Sequence, residues 1–494
     1  MKNRSTEILW PLIPVLFGFY LPIIYMVIQD GLFVSTGAEA SAITSSFSVI
    51  IATFRIAILS AFLATALGLL DAVLLAGTRG PIRLLIAGML FSIFLIPPTA
   101  LASAVQAVIG SSTLRATVRD EFGAVLMMTF RWAPVACAML LGAAAMWPQE
   151  QERALRGLPP ASGLITRARG LVRQALRCAG LLMLLLIPAA ELPSYAGVET
   201  ISQRVHARLT LGDAAEGWQL ALAMLIPVVV ALFFLTPRLQ GSGRSQRRSE
   251  LSGLPRVRSA DFYLLLRSAP ALALILILLI TAWPRASEVA VAGSEVLDSV
   301  WGLFQELPRA FIASSVAVIC GWRLADGGHR WAWLLLCLPA VLPGSLGALA
   351  LLQVVRPFLP VVLDDLPFLL TLAQICKLGA IGAAAGFVAT RVIPDPELNS
   401  AHFLDPSVAR WKIRFRRALP VLIPAVVIGV AVVLGEVEST LLLAPPGHPS
   451  PALELHQLLH FRNDEQAARI ALVLAGLGGL LVTFVVAPLR RKGE

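Results

Sequence analysis

An all-α polytopic membrane protein of about twelve transmembrane helices, arranged as two parallel six-helix repeats, is predicted by three observations. The 494-residue chain is 57% hydrophobic and only 14% charged, with a mean hydropathy of +0.79. Soluble domains are typically about a quarter charged, so a chain of this size cannot cover a globular surface, and a cytosolic enzyme or secreted module is excluded. Apolar stretches long enough to span a bilayer, about 20 residues each, recur along the whole length. Their connecting segments also segregate by charge, as the positive-inside rule requires.

The spans are expected near 8–29, 47–76, 84–110, 122–147, 177–196, 216–236, 263–283, 307–324, 331–353, 366–391, 418–437 and 466–488. The first follows Lys2 and Arg4 and precedes Ala38-Glu39-Ala40, as a secretory leader would. Its apolar run exceeds a leader's core of about 7–15 residues, so it reads as an uncleaved helix. Arg55 and Arg309 interrupt the outer ends of the second and eighth spans. With the N-terminus inside, the cytoplasmic segments and their flanking Arg177 and Arg267 hold 28 of the 40 Lys and Arg, and the outer loops hold seven. Both termini are then cytoplasmic. The +10 net charge is explained by topology, and no nucleic-acid partner is needed. Trp10, Trp147, Trp283, Trp331 and Trp333 fall near span ends, where interfacial anchors belong, although a core role fits each one equally. The five cysteines (Cys137, Cys178, Cys320, Cys337 and Cys376) lie in apolar stretches without CxxC spacing. They read as small core residues, with no disulfide framework or metal site.

The halves match at an offset of 245 to 246: Leu95-Ile96-Pro97-Pro98 with Val341-Leu342-Pro343-Gly344, Arg131 with Lys377, Pro148 with Pro394, and Glu191 with Glu436. The domain plan is therefore 1–236, a polar linker at 237–262, and 263–494, both halves running inside to inside. Ionisable residues within a span are costly and usually face the bundle interior. Arg131, Glu191, Lys377 and Glu436 allow two readings: all four snorkel independently to the outer interface, or each half holds a basic–acidic pair near an outer gate. Pro97-Pro98 and Pro343-Gly344 mark helix kinks, because proline lacks a backbone donor. Such kinks border a translocation path or serve packing alone.

Each half also carries a long cytoplasmic segment between its fourth and fifth spans, at 148–176 and 391–417. The first opens Pro148-Gln149-Glu150-Gln151-Glu152-Arg153-Ala154-Leu155-Arg156-Gly157. The second opens Pro394-Asp395-Pro396-Glu397-Leu398 and passes through Phe403-Leu404-Asp405 and an Arg-rich run to Leu419-Pro420. These segments, with Gly435-Glu436-Val437-Glu438-Ser439-Thr440 and Leu458-Leu459-His460-Phe461-Arg462-Asn463-Asp464-Glu465, resemble the permease subunits of type I ATP-binding-cassette importers, in the fused ferric-iron and thiamine subgroup. The first loop keeps Glu152, Ala154 and Gly157 of that family's Glu-Ala-Ala pattern. The second departs from it, with Ser400-Ala401-His402 or, in the neighbouring register, Ala401-His402-Phe403 where the pattern belongs, and no Gly after it.

The resemblance implies a bacterial inner-membrane permease moving a small solute, iron(III) or thiamine, delivered by an external solute-binding protein. It implies ATPase-coupling loops at Glu152, Arg153, Ala154, Gly157, Phe403, Leu404 and Asp405, gripped by two copies of a cytoplasmic ATPase. ATP would bind there, with no cofactor on this chain. No GxxxxGK[ST] phosphate loop occurs in the sequence, in keeping with a motor on a separate polypeptide. The path or gate would involve Pro97, Pro98, Arg131, Glu191, Pro343, Lys377 and Glu436. The coupling segments also fit basic amphipathic helices lying on lipid headgroups. A secondary carrier of the major facilitator type is the alternative, on the strength of Gly321-Trp322-Arg323-Leu324-Ala325-Asp326-Gly327-Gly328-His329-Arg330 between the eighth and ninth spans. A lipid flippase or intramembrane enzyme is the third class. Catalysis has little to stand on, because no Ser/His/Asp or metal-ligand cluster recurs in both halves.

Overall fold

The computed structural model describes residues 10–29, 39–77, 119–145, 160–189, 191–211, 260–283, 289–326, 335–358, 367–392, 408–445, 447, 450–461 and 463–486, with scattered residues within 88–102 and 217–229. Among these the chain is helical, without a strand. A helical segment from Trp10 ends in α1 (Leu21–Gln29) and is followed by α2 (Glu39–Gly77), α3 (Glu121–Ala145), α4 (Pro160–Leu186), α5 (Glu191–Tyr195) and α6 (Ile201–Thr210). The second half holds α7 (Ala260–Ala282), α8 (Val289–Asp326), α9 (Gly344–Ala350), α10 (Phe368–Lys377), α11 (Gly379–Val392), α12 (Val408–Leu434), α13 (Glu438–Leu443), α14 (Pro451–His460) and α15 (Asp464–Val486).

Four helical stretches are long and apolar enough to cross a membrane: Ser46–Leu75, Glu121–Leu141, Leu297–Ala325 and Lys412–Leu434. Two bent pairs raise this to six if each is one span: Leu335–Val341 with Gly344–Phe358, bent by 109°, and Phe368–Lys377 with Gly379–Thr390, bent by 51°. The side chains of α2 show why this is a membrane helix. Phe47, Ile51, Ile58, Leu59, Phe62, Leu63 and Leu70 are exposed, whereas Ala57, Ser60, Ala61, Ala64, Thr65 and Ala72 are buried. Large apolar groups face out and small ones face in, which is the arrangement lipid favours. In α8 the exposed face is Trp301, Phe304, Phe311, Ile312 and Ile319, and the buried face is Ala310, Ala313, Ser314 and Ala317.

Elements recur between the halves: α2 and α8 (39 and 38 residues), α4 and α12 (27 each) and α6 and α14 (10 each) lie at offsets of 248 to 250, and α5 and α13 start 247 apart. The packing recurs as well. α2 packs on α3 and α4, and α8 packs on α11 and α12. Small residues set these crossings. A Cβ on Gly68 would lie 2.5 Å from Ala136 Cβ; one on Gly321 would lie 2.0 Å from the Gly382 carbonyl carbon, and one on Gly382 would lie 2.1 Å from Ala317 O. The first helical segment of the chain crosses over, and that of the second half bridges, packing on α15 of its own half as well as on the first half. Residues 10–29 pack on α9, α10 and Leu351–Val355 of the second half, and α7 packs on α2 of the first. Gly18 meets Leu372 and Cys376 too closely for any side chain, and the Tyr20 hydroxyl donates to Leu335 O at 2.8 Å.

Several boundaries differ from the sequence reading. The helices that hold the fifth and eleventh predicted spans begin earlier, at Pro160 and Val408, so the Arg-rich runs are turns of the same helices, of which α12 but not α4 is, over its described residues, long and apolar enough to cross a membrane. Both stop sooner as well, α4 at Leu186 just before Ile187-Pro188 and α12 at Leu434 before Gly435, so Glu191 opens α5 and Glu436 lies in a break. α2 and α8 run through Arg55 and Arg309 without interruption. Arg55 pairs with Glu121, and Arg309 with Glu306 one turn before it and with Gln374. Gly321 and Trp322 are buried in α8 against α11, so the part of the carrier-like stretch that is described, through Asp326, is helix. Two wide turns sit just before prolines. Leu21 N–H donates to Leu16 O before Pro22, and Arg356 N–H donates to Leu351 O before Pro357. Each proline removes the next i→i−4 bond, and the chain widens by one residue there.

Gly382→Ala puts a methyl against the Ala317 carbonyl oxygen, where backbone must move, and is expected to cost about 1–3 kcal/mol. Gly476→Ala, whose added Cβ meets nothing within 4 Å, is expected to gain a few tenths up to about 1 kcal/mol as a helix-interior substitution. Thermal unfolding in detergent, read as loss of monodisperse protein, separates the two.

Candidate functional site

Three breaks in the second half meet at one ammonium group. Lys377 closes α10, where the chain bends before Gly379; a Cβ on Gly379 would lie 2.0 Å from Leu336 O, so only glycine fits there. The second break precedes α9. Leu342 is extended (φ −91°, ψ 153°), as the residue before a proline prefers, and Pro343 follows. The third is Gly435-Glu436-Val437, between α12 and α13.

Lys377 Nζ lies 2.7 Å from Glu436 Oε1 and 3.8 Å from Glu438 Oε2. Glu436 is buried, and its carboxylate also accepts from Ser439 N–H at 3.0 Å and from the Ser439 hydroxyl. Its main-chain carbonyl accepts from Thr440 Oγ1 at 2.7 Å. Glu438 Oε2 accepts from Gly344 N–H at 2.8 Å, tying the start of α9 to the start of α13. A Cβ on Gly344 would lie 3.0 Å from both Lys377 Nζ and Glu438 Oε2, so the glycine keeps this approach open. Each broken helix thus has a polar group in one shared network. A carboxylate taken from water needs such partners, because burial without them is costly.

The first half supplies the facing wall. Gly18 and Phe19 line a cavity of about 20 Å³ together with Pro343, Gly344, Cys376, Lys377 and Ser439. That is room for about one water molecule. His206, on α6, is within electrostatic reach of Glu438, and α6 packs on α9. Arg131, in mid-α3, donates from Nη1 to Ile96 O at 3.0 Å and lies over the Phe94 ring at 5.8 Å. Its Nη2 would be 3.8 Å from a Cβ on Gly435. The cation of the first half therefore approaches the second half one residue before Glu436.

Of the residues read from the sequence, Lys377, Glu436 and Pro343 come together here, and Lys377 is paired with both acids rather than snorkelling alone. Arg131 approaches the same place from across the halves. The side chain of Glu191 lies outside the described residues, as do Pro97 and the segment holding Glu152, Arg153, Ala154, Gly157, Phe403, Leu404 and Asp405. Pro98 is half-buried in a helical turn. The reading missed the second buried network, Arg309 with Glu306 and Gln374. Glu306 was findable from its i,i+3 spacing to Arg309, and Gln374 from lying one turn before Lys377 on an otherwise apolar helix. The reading also missed the tie from Gly344 to Glu438, which joins residues far apart in sequence and left no local signal. Comparison with models of protein families, with curated proteins and with solved structures gives no match.

Lys377→Met leaves buried Glu436 without its cation and is expected to cost about 3–5 kcal/mol. Glu438→Gln keeps an acceptor for Gly344 N–H and is expected to cost far less. Thermal scans of both purified variants test the ordering.

Proposed function

We propose that this chain is the membrane-spanning permease subunit of an importer driven by a separate ATPase. Its two halves, each of six spans, are related by a pseudo-twofold axis along the membrane normal and carry a small solute between them by alternating access. The observation that carries this reading is the recurrence of elements at an offset of 247 to 250, with the first helical segment of each half packed on the other half. Two halves whose first helical segments reach across to each other form one unit with a seam, and a seam between repeats near the membrane midplane is where transporters commonly hold their path. The polar cluster of Lys377, Glu436 and Glu438, with Arg131 and His206 across the seam, fits residues bordering such a path.

The family-like segments add the coupling. A helix gripped by a partner on the cytoplasmic side acts as a lever on the two spans it joins. α4 and α12 begin directly after 148–159 and 393–407 as continuous 27-residue helices. A pull on either segment is therefore transmitted along an unbroken rod to Ile187-Pro188 or Gly435. Iron(III) or thiamine, delivered by an external binding protein at a bacterial inner membrane, is the substrate reading that goes with the subgroup.

Purifying the full chain from its native membrane tests the class. Recovery of an associated polypeptide that carries a phosphate loop and hydrolyses ATP supports the proposal, and uptake by the chain alone on an ion gradient overturns it. Within the complex, Glu152→Arg or Leu404→Arg is expected to abolish uptake while insertion stays normal. Unchanged ATPase association and uptake in both variants would remove the coupling role.

A further inference from the structure

We propose that the Lys377–Glu436 ion pair is the latch that keeps the path shut, and that the moving part of the gate belongs to the second half. This rests on the permease reading and adds the location and chemistry of its gate. Three half-helices end or begin at the latch: α10 at Lys377, α13 just after Glu436, and α9 at Gly344, held through Glu438. Rotation at a break re-aims a whole half-helix, so one ion pair controls three elements at once. A continuous helix offers no such joint, and the corresponding helix of the first half, α3, runs unbroken through Arg131 from Glu121 to Ala145. The first half keeps the break between α4 and α5 but has, in α3, no counterpart of the α10–α11 bend, so it forms the less mobile wall.

The cluster also has a second arrangement within reach. Glu436 and Glu438 share Lys377, at 2.7 and 3.8 Å. Two further basic side chains stand on the facing wall, Arg131 beside Gly435 and His206 within electrostatic reach of Glu438. If α10 swings away, Arg131 is the cation placed to take over part of the pairing that Lys377 gives up, rather than the acids being left bare. An exchange of partners makes a two-state element, whereas loss of partners makes a barrier too high to cross. The water-sized cavity beside Lys377 admits the first solvent molecule as the pair separates.

Cys376 reports the motion. It is buried beside Lys377, lines the same cavity, and its thiol donates to Pro14 O at 3.6 Å in the crossing-over segment of the first half. In full-length chain with Cys137, Cys178, Cys320 and Cys337 replaced by Ala, reconstituted in vesicles, Cys376 is expected to react slowly with a charged, membrane-impermeant methanethiosulfonate. Lys377→Gln is expected to speed that reaction by about tenfold or more, because local opening then lacks its strongest restraint. Glu438→Gln should speed it less, and Lys377→Glu combined with Glu436→Lys should return it toward the parent rate. If Lys377→Gln does not yield monodisperse protein, Lys377→Arg and Glu436→Asp, which keep both charges and change the reach, are expected to raise the rate by a smaller factor. Parent-like rates in every folded variant overturn the latch. So does a double exchange that labels as fast as Lys377→Gln. The readout needs neither ATPase nor solute: acceleration by Lys377→Gln, in a chain found without an ATPase, supports the latch while refuting the permease class, and parent-like rates in a chain found with one refute the latch alone.

Discussion

Close approach of backbones at small residues is the constraint on which this bundle depends. Inside a bilayer, lipid tails are as apolar as leucine, so helices gain nothing by hiding large side chains from them. Association must come from contact itself, and contact is densest where no side chain intervenes. Gly321, Gly382 and Gly386 bring α8 and α11 together until a single methyl would strike backbone, and Gly68 does the same for α2 against Ala133, Ala136 and Cys137 of α3. Phe, Ile and Leu are left to face lipid. The same rule seats the N-terminal segment on the second half, where Gly18 meets Leu372 and Cys376, and Gly347 meets Phe19.

Once helices are held that closely, polar groups between them have little room to avoid one another. Each buried charge described here is met by a partner on another element or one turn away: Lys377 by Glu436 and Glu438, Arg309 by Glu306 and Gln374, Arg131 by the Ile96 carbonyl and the Phe94 ring. Breaks in the backbone follow the same economy. An interrupted helix exposes donors and acceptors, and hydrocarbon offers them nothing. At Gly344 the freed N–H is taken by Glu438, and at Glu436 the side chain and carbonyl of the broken segment take Ser439 and Thr440. The ion cluster and the breaks are one feature, since the carboxylates that pair with Lys377 also satisfy the backbone freed nearby.

What the sequence revealed follows from this physics. A charge in an apolar run demands a partner, so the Lys377–Glu436 pair was legible from composition and the repeat. Pro343-Gly344 was legible as an interruption because proline lacks a donor, although nothing local says that the chain turns by 109° there. Helix ends were read poorly. Hydropathy marks where the membrane ends, whereas the helix of α4 or α12 runs on through Arg-rich turns that water solvates, and α2 and α8 reach well beyond their apolar centres. The partner of the cluster that comes from elsewhere, Gly344 for Glu438, had no signal in spacing, because long-range approach is decided by which small residues let which helices meet.

Corresponding positions of the two halves have been put to different use, and the difference lies in a few residues. Arg131 and Lys377 match at an offset of 246, yet the arginine stands in a continuous helix and the lysine at a bend. Leu378-Gly379 follows Lys377, and Gly379 admits the Leu336 carbonyl into the helix path; after Arg131 the chain reads Trp132-Ala133-Pro134, and helix is retained. A proline inside α3 costs one hydrogen bond but fixes its φ near the helical value, whereas Gly379 lowers the cost of leaving the helix altogether. Past the fifth helices the contrast repeats. Pro188 and Pro193 flank Glu191, while Gly435, Val437 and Ser439 surround Glu436. In both places a proline lies within three residues of the charge in the first half and a glycine within two residues of it in the second. Proline narrows the conformations a chain can adopt and glycine widens them, so stiffness is built in beside Arg131 and Glu191 and freedom beside Lys377 and Glu436, where Arg131 approaches Gly435 across the seam.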